Sequence, residues 1–214
     1  KNKIINIHPS LLPKFRGPSP VASAILAGEK FTGVTIMKID ENMDTGPILK
    51  KSDEVSIGLD DSTTVLQKKL FRLGSDMLPD ILRNIEEGNQ SFTSQNNNNA
   101  SITKKINKID GKIKWNEKDI EIIRKVRAYD KWPGTFTFWN NKRIKIIGIS
   151  PKHIELDVPP LEHNAVLLIN NDYDQKWKAT ISNQKISIIK ANLNACAIYL
   201  KPMGKNRLVS PQNP

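Results

Sequence analysis

Cysteine is almost missing from this chain: Cys196 stands alone among 214 residues. No internal disulfide can form, and its apolar neighbours mark it as a buried thiol of a reducing compartment. Histidine is scarce as well. The three, at positions 8, 153 and 163, are too scattered to give metal-ligand spacing, and with one cysteine beside them we expect no metal. No apolar run approaches the ~18–20 residues that a membrane span needs. Phosphate-cradling loops are absent too, since neither G-x-x-x-x-G-K-S/T nor G-x-G-x-x-G occurs. Nor does any serine sit on the strained glycine elbow that serine hydrolases use, so no hydroxyl or thiol nucleophile is evident.

What is present describes a globular protein of one to two domains, with 38% hydrophobic and 26% charged residues. The net charge of +11 is unevenly placed. Residues 1–95 carry 12 Lys/Arg and 12 Asp/Glu, whereas residues 96–214 carry 21 and 10. A neutral half beside a basic half reads as a small-molecule chemistry unit joined to one that meets a polyanion, nucleic acid foremost. A Lys-rich proteome is the plainer explanation.

Along the chain, residues 3–7 read as a strand that Pro9 stops, followed by a Pro/Gly loop and a helix opened by Pro18-Ser19-Pro20 and ended at Gly28. Residues 33–39 read as a second strand and residues 54–57 as another. Helical spacing of Val65, Leu66, Leu70, Leu73, Met77, Leu78, Ile81, Leu82 and Ile85 predicts a long helix over 64–87, with Thr64 and Gln67 as a capping box, Pro79 as a bend and Gly88 as the stop. Residues 89–105 lack periodicity and read as a linker. Residues 117–129 predict a basic amphipathic helix with Ile120, Ile123, Val126 and Tyr129 inward. Short apolar runs from Pro133 onward predict a small β-barrel. We therefore expect a domain at 1–92, a linker at 93–103 and a basic domain at 104–214.

Candidate chemistry gathers at strand ends, where open α/β sheets carry their ligands. Asn6 and His8, one residue apart on a strand, point to the same face. Asp44, in the acidic loop after the second strand, could orient the imidazole and support its charged form. Each residue alone is more often structural: a lone histidine rarely catalyses, and Asp before Gly46 is a common turn. Together, an amide donor and an imidazole around a carbonyl carbon are equipment for acyl-type transfer to an amine.

The run Asn6-Ile7-His8-Pro9-Ser10-Leu11-Leu12-Pro13 with Gly17, and the segment from Thr32-Gly33-Val34-Thr35-Ile36 to Asp44-Thr45-Gly46-Pro47, resemble the folate-dependent formyltransferases. Downstream, Lys104-Lys105-Ile106-Asn107-Lys108-Ile109-Asp110-Gly111 with Trp115, Arg127-Ala128-Tyr129-Asp130-Lys131-Trp132-Pro133-Gly134, and Met203-Gly204-Lys205 are similar to the C-terminal domain of the branch acting on methionyl-tRNA. The resemblance implies an α/β fold: a partial Rossmann-like formyltransferase domain, then a small OB-like C-terminal β-barrel. It implies Asn6, His8 and Asp44 as catalytic residues. Ser10, Leu11, Leu12 and Pro13 would line the folate site, with the backbone of Glu41, Asn42 and Met43 closing on the pterin. The implied reaction moves a formyl group from 10-formyltetrahydrofolate to the methionine amino group of initiator methionyl-tRNA, in the cytoplasm, by a monomer with no membrane partner. Lys104, Lys105, Lys108, Arg127 and Lys205 are candidates to meet tRNA phosphates. Trp132, Trp139 and Trp177 fit core packing better than base stacking.

The resemblance also implies that the opening half of the family's catalytic domain lies outside this chain, which begins at Lys1 within a strand. We expect little formyl transfer from the 214 residues alone. A nucleotide-sugar formyltransferase and a non-enzymatic tRNA-binding remnant are the alternatives; the charge split argues against the first, and folate binding would exclude the second.

Overall fold

The computed structural model describes the backbone of residues 4–114, 116–139, 141–150, 153–158, 165–169, 179–181, 184–186, 188–192, 195–200 and 206–209, and side chains as far as residue 147 apart from those at 115, 139, 140 and 142. The chain divides into two compact units, Lys1–Asp110 with Arg127–Pro133, and Gly111–Val126 with Gly134–Pro214. Unit 1 thus takes in the stretch expected as a linker at 93–103. The reason lies in its hydrogen bonds: Thr93 and Ile48 exchange two backbone bonds of 2.8 and 2.9 Å, and the Arg16 N–H donates to the Ser101 carbonyl at 2.8 Å. A return segment is tied in likewise, the Thr63 hydroxyl donating to the Ala128 carbonyl at 2.8 Å.

In unit 1, β1 (Ile5–His8) leads through a loop to α1 (Pro20–Ala27), which starts on a proline and ends at Gly28 with φ 72°, as the sequence predicts. Then come β2 (Phe31–Thr32), β3 (Thr35–Lys38), β4 (Ile48–Lys51), β5 (Val55–Ser56) and the long helix α2 (Thr63–Glu86). Sheet order is β1-β3-β4, and β2 pairs with β5 as a separate ribbon. Both neighbours of β3 run antiparallel to it, with Ile5 opposite Lys38 and His8 opposite Thr35. That register bears directly on the site.

The start of α2 corrects the sequence reading. Ser62 caps the helix, its hydroxyl accepting from the Val65 N–H at 3.4 Å, so Thr64 and Gln67 form no capping box. The Thr64 N–H instead donates to Asp130 at 3.3 Å. The helix continues through Pro79 without a break. Its buried face is Leu66, Leu70, Gly74, Met77 and Ile81, while Val65 and Leu82 are exposed. Gly74 and Pro79 disfavour helix by ~1 and ~3 kcal/mol; burying side chains such as Leu66 and Leu70 contributes ~1.5–3 kcal/mol each. Packing therefore decides the helix. Gly74 permits it, since a Cβ there would lie 2.5 Å from Ile7 Cγ2 and 3.2 Å from Val34 Cγ1. The core that results joins Ile36, Met77 and Ile81 to Ile5 and Ile7, and joins Leu66, Leu70 and Val34 to Val21, Ile25 and Tyr129.

Unit 2 begins with α3 (Asp119–Ala128), whose residues to Val126 belong to it. Ile122 and Val126 are buried, and Ile120 is exposed, so the inward face is rotated from the one expected. Strands β6 (Thr135–Trp139), β7 (Lys142–Ser150), β8 (His153–Val158), β9 (Ala165–Ile169), β10 (Ala179–Ile181), β11 (Gln184–Ile186), β12 (Ile188–Asn192), β13 (Ala195–Leu200) and β14 (Asn206–Val209) follow. They form two antiparallel sheets, of order β11-β10-β14-β8-β7-β6 and β12-β13-β9. Among the described residues no pairing joins these sheets into one closed barrel. The side chains of Cys196, Trp139, Trp177, His153, His163 and Lys205, together with Trp115, lie outside the described residues.

Candidate active site

The strand period of two settles the first pair. Ile5 and Ile7 pack against Ile36 and Met77 on one face of β1, which turns Asn6 and His8 to the other. There they line a cavity of about 450 Å³ with Pro9, Gly17, Pro18, Met43, Asp44, Gln67 and Phe71. Among the described residues no side-chain hydrogen bond engages the Asn6 amide, which leaves its donor for a ligand. Thr63, Gln67 and Phe71, four residues apart on α2, form one wall. No group of three or more metal-ligating side chains occurs among the described residues, and no described helix is long and apolar enough to cross a membrane.

Asp44 reaches His8 by a different route from the one expected. Because β1 and β3 are antiparallel, the chain leaves β3 beside Ile5, at the far end of β1 from His8. The loop 40–46 therefore has to fold back. It does so with Asp40 accepting from the Asn42 N–H at 3.2 Å and from the Thr45 hydroxyl at 2.8 Å. Asp44 itself has φ 54°, in the left-handed region that disfavours most side chains. Its Oδ2 accepts from the Gly17 N–H at 2.8 Å and lies 3.6 Å from His8 Nδ1. Gly17 has φ 107°, which only glycine adopts without strain.

His8 is buried, 3% exposed, and its Nε2 donates to the Phe15 carbonyl at 3.0 Å. Two acceptors thus face the two ring nitrogens. Burial nevertheless pushes the imidazole below its ordinary value, and the Asp44 carboxylate and Phe15 carbonyl draw it only partly back. Burial thus favours the neutral ring, while the Asp44 carboxylate and the Phe15 carbonyl lie where they favour an imidazolium once a proton arrives.

The residues expected to line a folate site divide. Ser10 and Leu12 are fully buried. Ser10 donates its hydroxyl to the Lys14 carbonyl at 2.6 Å, and its own carbonyl accepts from Thr35 Oγ1 at 2.7 Å. Leu12 packs with Met37 and Ile48, and Leu11 lies against Gly33. These residues hold the loop's shape. Pro13 lines a second cavity, beside Ile48, Thr93 and Gln95. Of Glu41, Asn42 and Met43, only Met43 lines the cavity with His8.

The candidate phosphate contacts divide as well. Lys105 and Lys108 are exposed. Lys104 is exposed too but pairs with Asp110 at 2.6 Å, and the pairing raises its ammonium pKa. Arg127 is committed elsewhere, donating to the Asp61 carbonyl at 2.9 Å and the Gly58 carbonyl at 2.6 Å. Trp132, expected to pack in the core, is 60% exposed. Sequence reasoning missed Arg16 and Gln95. No periodicity or motif marks either; a buried arginine shows itself only when the fold closes around it.

Comparison with known proteins places this geometry. A family model described as formyl transferase matches residues 1–82, and one described as formyl transferase, C-terminal domain, matches residues 105–172. The methionyl-tRNA formyltransferase of Chloroflexus aggregans is 43% identical over 156 residues, 73% of this chain and 50% of that protein. That of Chloroflexus aurantiacus is 47% identical over 143 residues, 67% of this chain and 46% of that protein. The chain spans about half the length of the curated relatives it matches. Among solved structures, the methionyl-tRNA formyltransferase of Clostridium thermocellum aligns with TM-score 0.58 and 22% identity over 70% of this chain and 64% of that one. An N-formyltransferase of Helicobacter canadensis, solved with folinic acid and dTDP-3-aminofucose, aligns with TM-score 0.60 and 23% identity over 92% and 66%. At such identities the structural likeness speaks to the fold alone.

Proposed function

This chain belongs to the formyl transferase family, and we propose on that premise that the protein carrying it transfers a formyl group from 10-formyltetrahydrofolate to the amino group of methionine on initiator tRNA. The observation that carries the reading is the convergence of Asn6, His8 and Asp44 at one cavity, in a chain 43–47% identical to methionyl-tRNA formyltransferases. Prolines 18 and 20, Val21, Phe71 and Ile106 give that cavity apolar walls, and such walls with a few convergent polar groups suit a flat pterin. Met43 borders it, and Glu41 and Asn42, which do not line it, belong to the same 40–46 loop. Ser10, Leu11, Leu12 and Pro13 serve the folate by keeping the loop in shape.

In the transfer, the methionine amine attacks the formyl carbon, the carbonyl electron pair moves to oxygen, and collapse breaks the bond to N10 of the folate. Asn6 donates an N–H to the oxygen as charge gathers there, a contact whose loss costs ~10²–10³ in rate. The amine must lose a proton and N10 must gain one. Neutral His8 takes it up, Asp44 and the Phe15 carbonyl meet the imidazolium, and the same ring returns the proton.

The basic residues of 96–214, Lys105 and Lys108 among them, meet the tRNA backbone through salt-sensitive phosphate contacts. Lys104 joins them while bridged to Asp110, and Arg127 acts indirectly by holding the 58–61 turn. We take unit 2 to be the family's small OB-like barrel and the enzyme to work as a monomer in the cytoplasm, where translation starts. A nucleotide sugar as acceptor is disfavoured because a single small substrate gives no use for the basic excess. The test offers methionyl-initiator tRNA and a dTDP-amino sugar, each with 10-formyltetrahydrofolate, to the protein carrying this chain. Formylation of the tRNA is expected; formylation of the sugar alone overturns the reading.

A further inference from the structure

Two obstacles stand between Asp44 and His8. The antiparallel register starts the 40–46 loop at the wrong end of β1, and Asp44 holds a left-handed backbone, φ 54°, that side chains rarely adopt unless the surroundings enforce it. Phe15, whose carbonyl accepts from the other ring nitrogen of His8, shares that conformation with φ 60°. Both residues that flank the imidazole thus need holding in place.

One segment holds both. Gln95 Nε2 donates to the Asp44 carbonyl at 2.9 Å and to the Gly46 carbonyl at 2.8 Å. Its Oε1 accepts from Arg16 Nε at 3.0 Å and Nη2 at 2.8 Å, and the same Nη2 donates to Asn97 Oδ1 at 2.9 Å. Arg16 is buried, and those partners are neutral amides, so its planar fork orients the Gln95 amide rather than neutralising an acid. Six residues on, Ser101 Oγ accepts from the Phe15 N–H at 2.8 Å and the Ser101 carbonyl from the Arg16 N–H at 2.8 Å. The amide of Gln95 cannot be reversed without turning an acceptor toward two carbonyls.

We infer that Gln95, oriented by Arg16, is a positioning residue for formyl transfer: it fixes the backbone at Asp44 and Gly46 and thereby keeps the Asp44 carboxylate beside His8. Its kinetic consequence rests on the formyl-transfer reading, whereas its structural consequence does not. Asp44 is the charged group that faces the ring, so the ring's own titration reports where Asp44 sits.

The first test follows His8 by NMR in the 214-residue protein, its resonance identified by loss in His8→Ala. Asp44→Asn should lower the titration midpoint, because the charge that draws it upward is gone. Gln95→Ala should lower it in the same direction, and Gln95→Leu, which keeps bulk without polar atoms, should match. A wild-type midpoint in a folded Gln95 variant overturns the inference, as does failure of both variants to fold, which would make Gln95 a folding residue. In the enzyme, Gln95→Ala should lower kcat ~10–100-fold with both KM values held. In an Asp44→Asn background the same substitution should cost less than about twofold. An equal loss in both backgrounds overturns the inference. If the wild-type protein carrying this chain transfers no formyl group, the functional reading falls and the titration decides this one.

Discussion

Two polar clusters brace unit 1, and they differ in how far water reaches them. At the site, Arg16 is 6% exposed and its guanidinium spans Gln95 and Asn97, with the loop carrying Asp44 hung from the same amide. Near residue 110, Lys104 is 71% exposed and meets Asp110 at 2.6 Å, while Asp110 also accepts from the Asn107 N–H at 2.8 Å. The second contact is shorter and carries full charges, yet it should matter less. Exposed ion pairs contribute ~0–1 kcal/mol because solvent screens them and long side chains must be ordered. An unpaired polar atom away from water costs ~1–3 kcal/mol. Location outweighs bond length.

The largest effect expected is on rate. On the formyl-transfer proposal, Asp44→Asn in the protein carrying this chain keeps the side chain's shape and removes its charge, and should lower kcat for methionyl-tRNA ~10²–10³-fold in steady-state assays. Lys104→Ala should leave kcat near wild type and shift only tRNA affinity. Were the two to fall alike, the contrast would fail.

Arg16→Ala should destabilise unit 1 by ~1–3 kcal/mol, since the half-buried Gln95 oxygen loses both of its donors, whereas water can replace the one lost by exposed Asn97. Urea unfolding checks this, and a loss as small as that of Lys104→Ala would erase the distinction. Gly74→Ala is a control on the apolar core: the added methyl has to displace Ile7, at ~1–3 kcal/mol.

The pH dependence sharpens the comparison at the buried end. His8 is lowered in the folded protein by burial, so below about pH 6.5, the unfolded value, the unfolded chain binds a proton that the native state refuses. Stability is full above that value and declines as pH falls through the window toward the lower folded value. Unfolding midpoints measured from about pH 7 to pH 5 should drop, and His8→Gln should flatten part of that slope. The smallest effect is that of Lys104→Ala on stability, at most ~1 kcal/mol and shrinking with added salt.

Much of this was legible beforehand because local rules are strong. Alternation in β1 placed Asn6 with His8, Gly28 ended α1, and the apolar spacing of α2 located a helix to within a residue at each end. Where the reading slipped, a competing interaction explains it. Ser62 took the cap because Thr64 lies within the first turn, its amide turned to Asp130. Residues 93–103 read as a linker because nothing in Gln95, Asn97 or Ser101 announces a partner some 80 residues earlier in the chain.

From sequence alone came the residue types of the site, the face of β1 that bears two of them, the uneven charge and the family resemblance. These depend on side-chain identity and on periods of two and 3.6 residues, which neighbouring positions express without help. Only tertiary structure decided that the strands run antiparallel, that Asp44 reaches His8 by a folded-back loop, that burial lowers the pKa of the ring, and that Gln95 and Arg16 hydrogen-bond behind that loop. Those outcomes turn on desolvation and on hydrogen bonds between distant segments, and neither exists until the chain has closed around them.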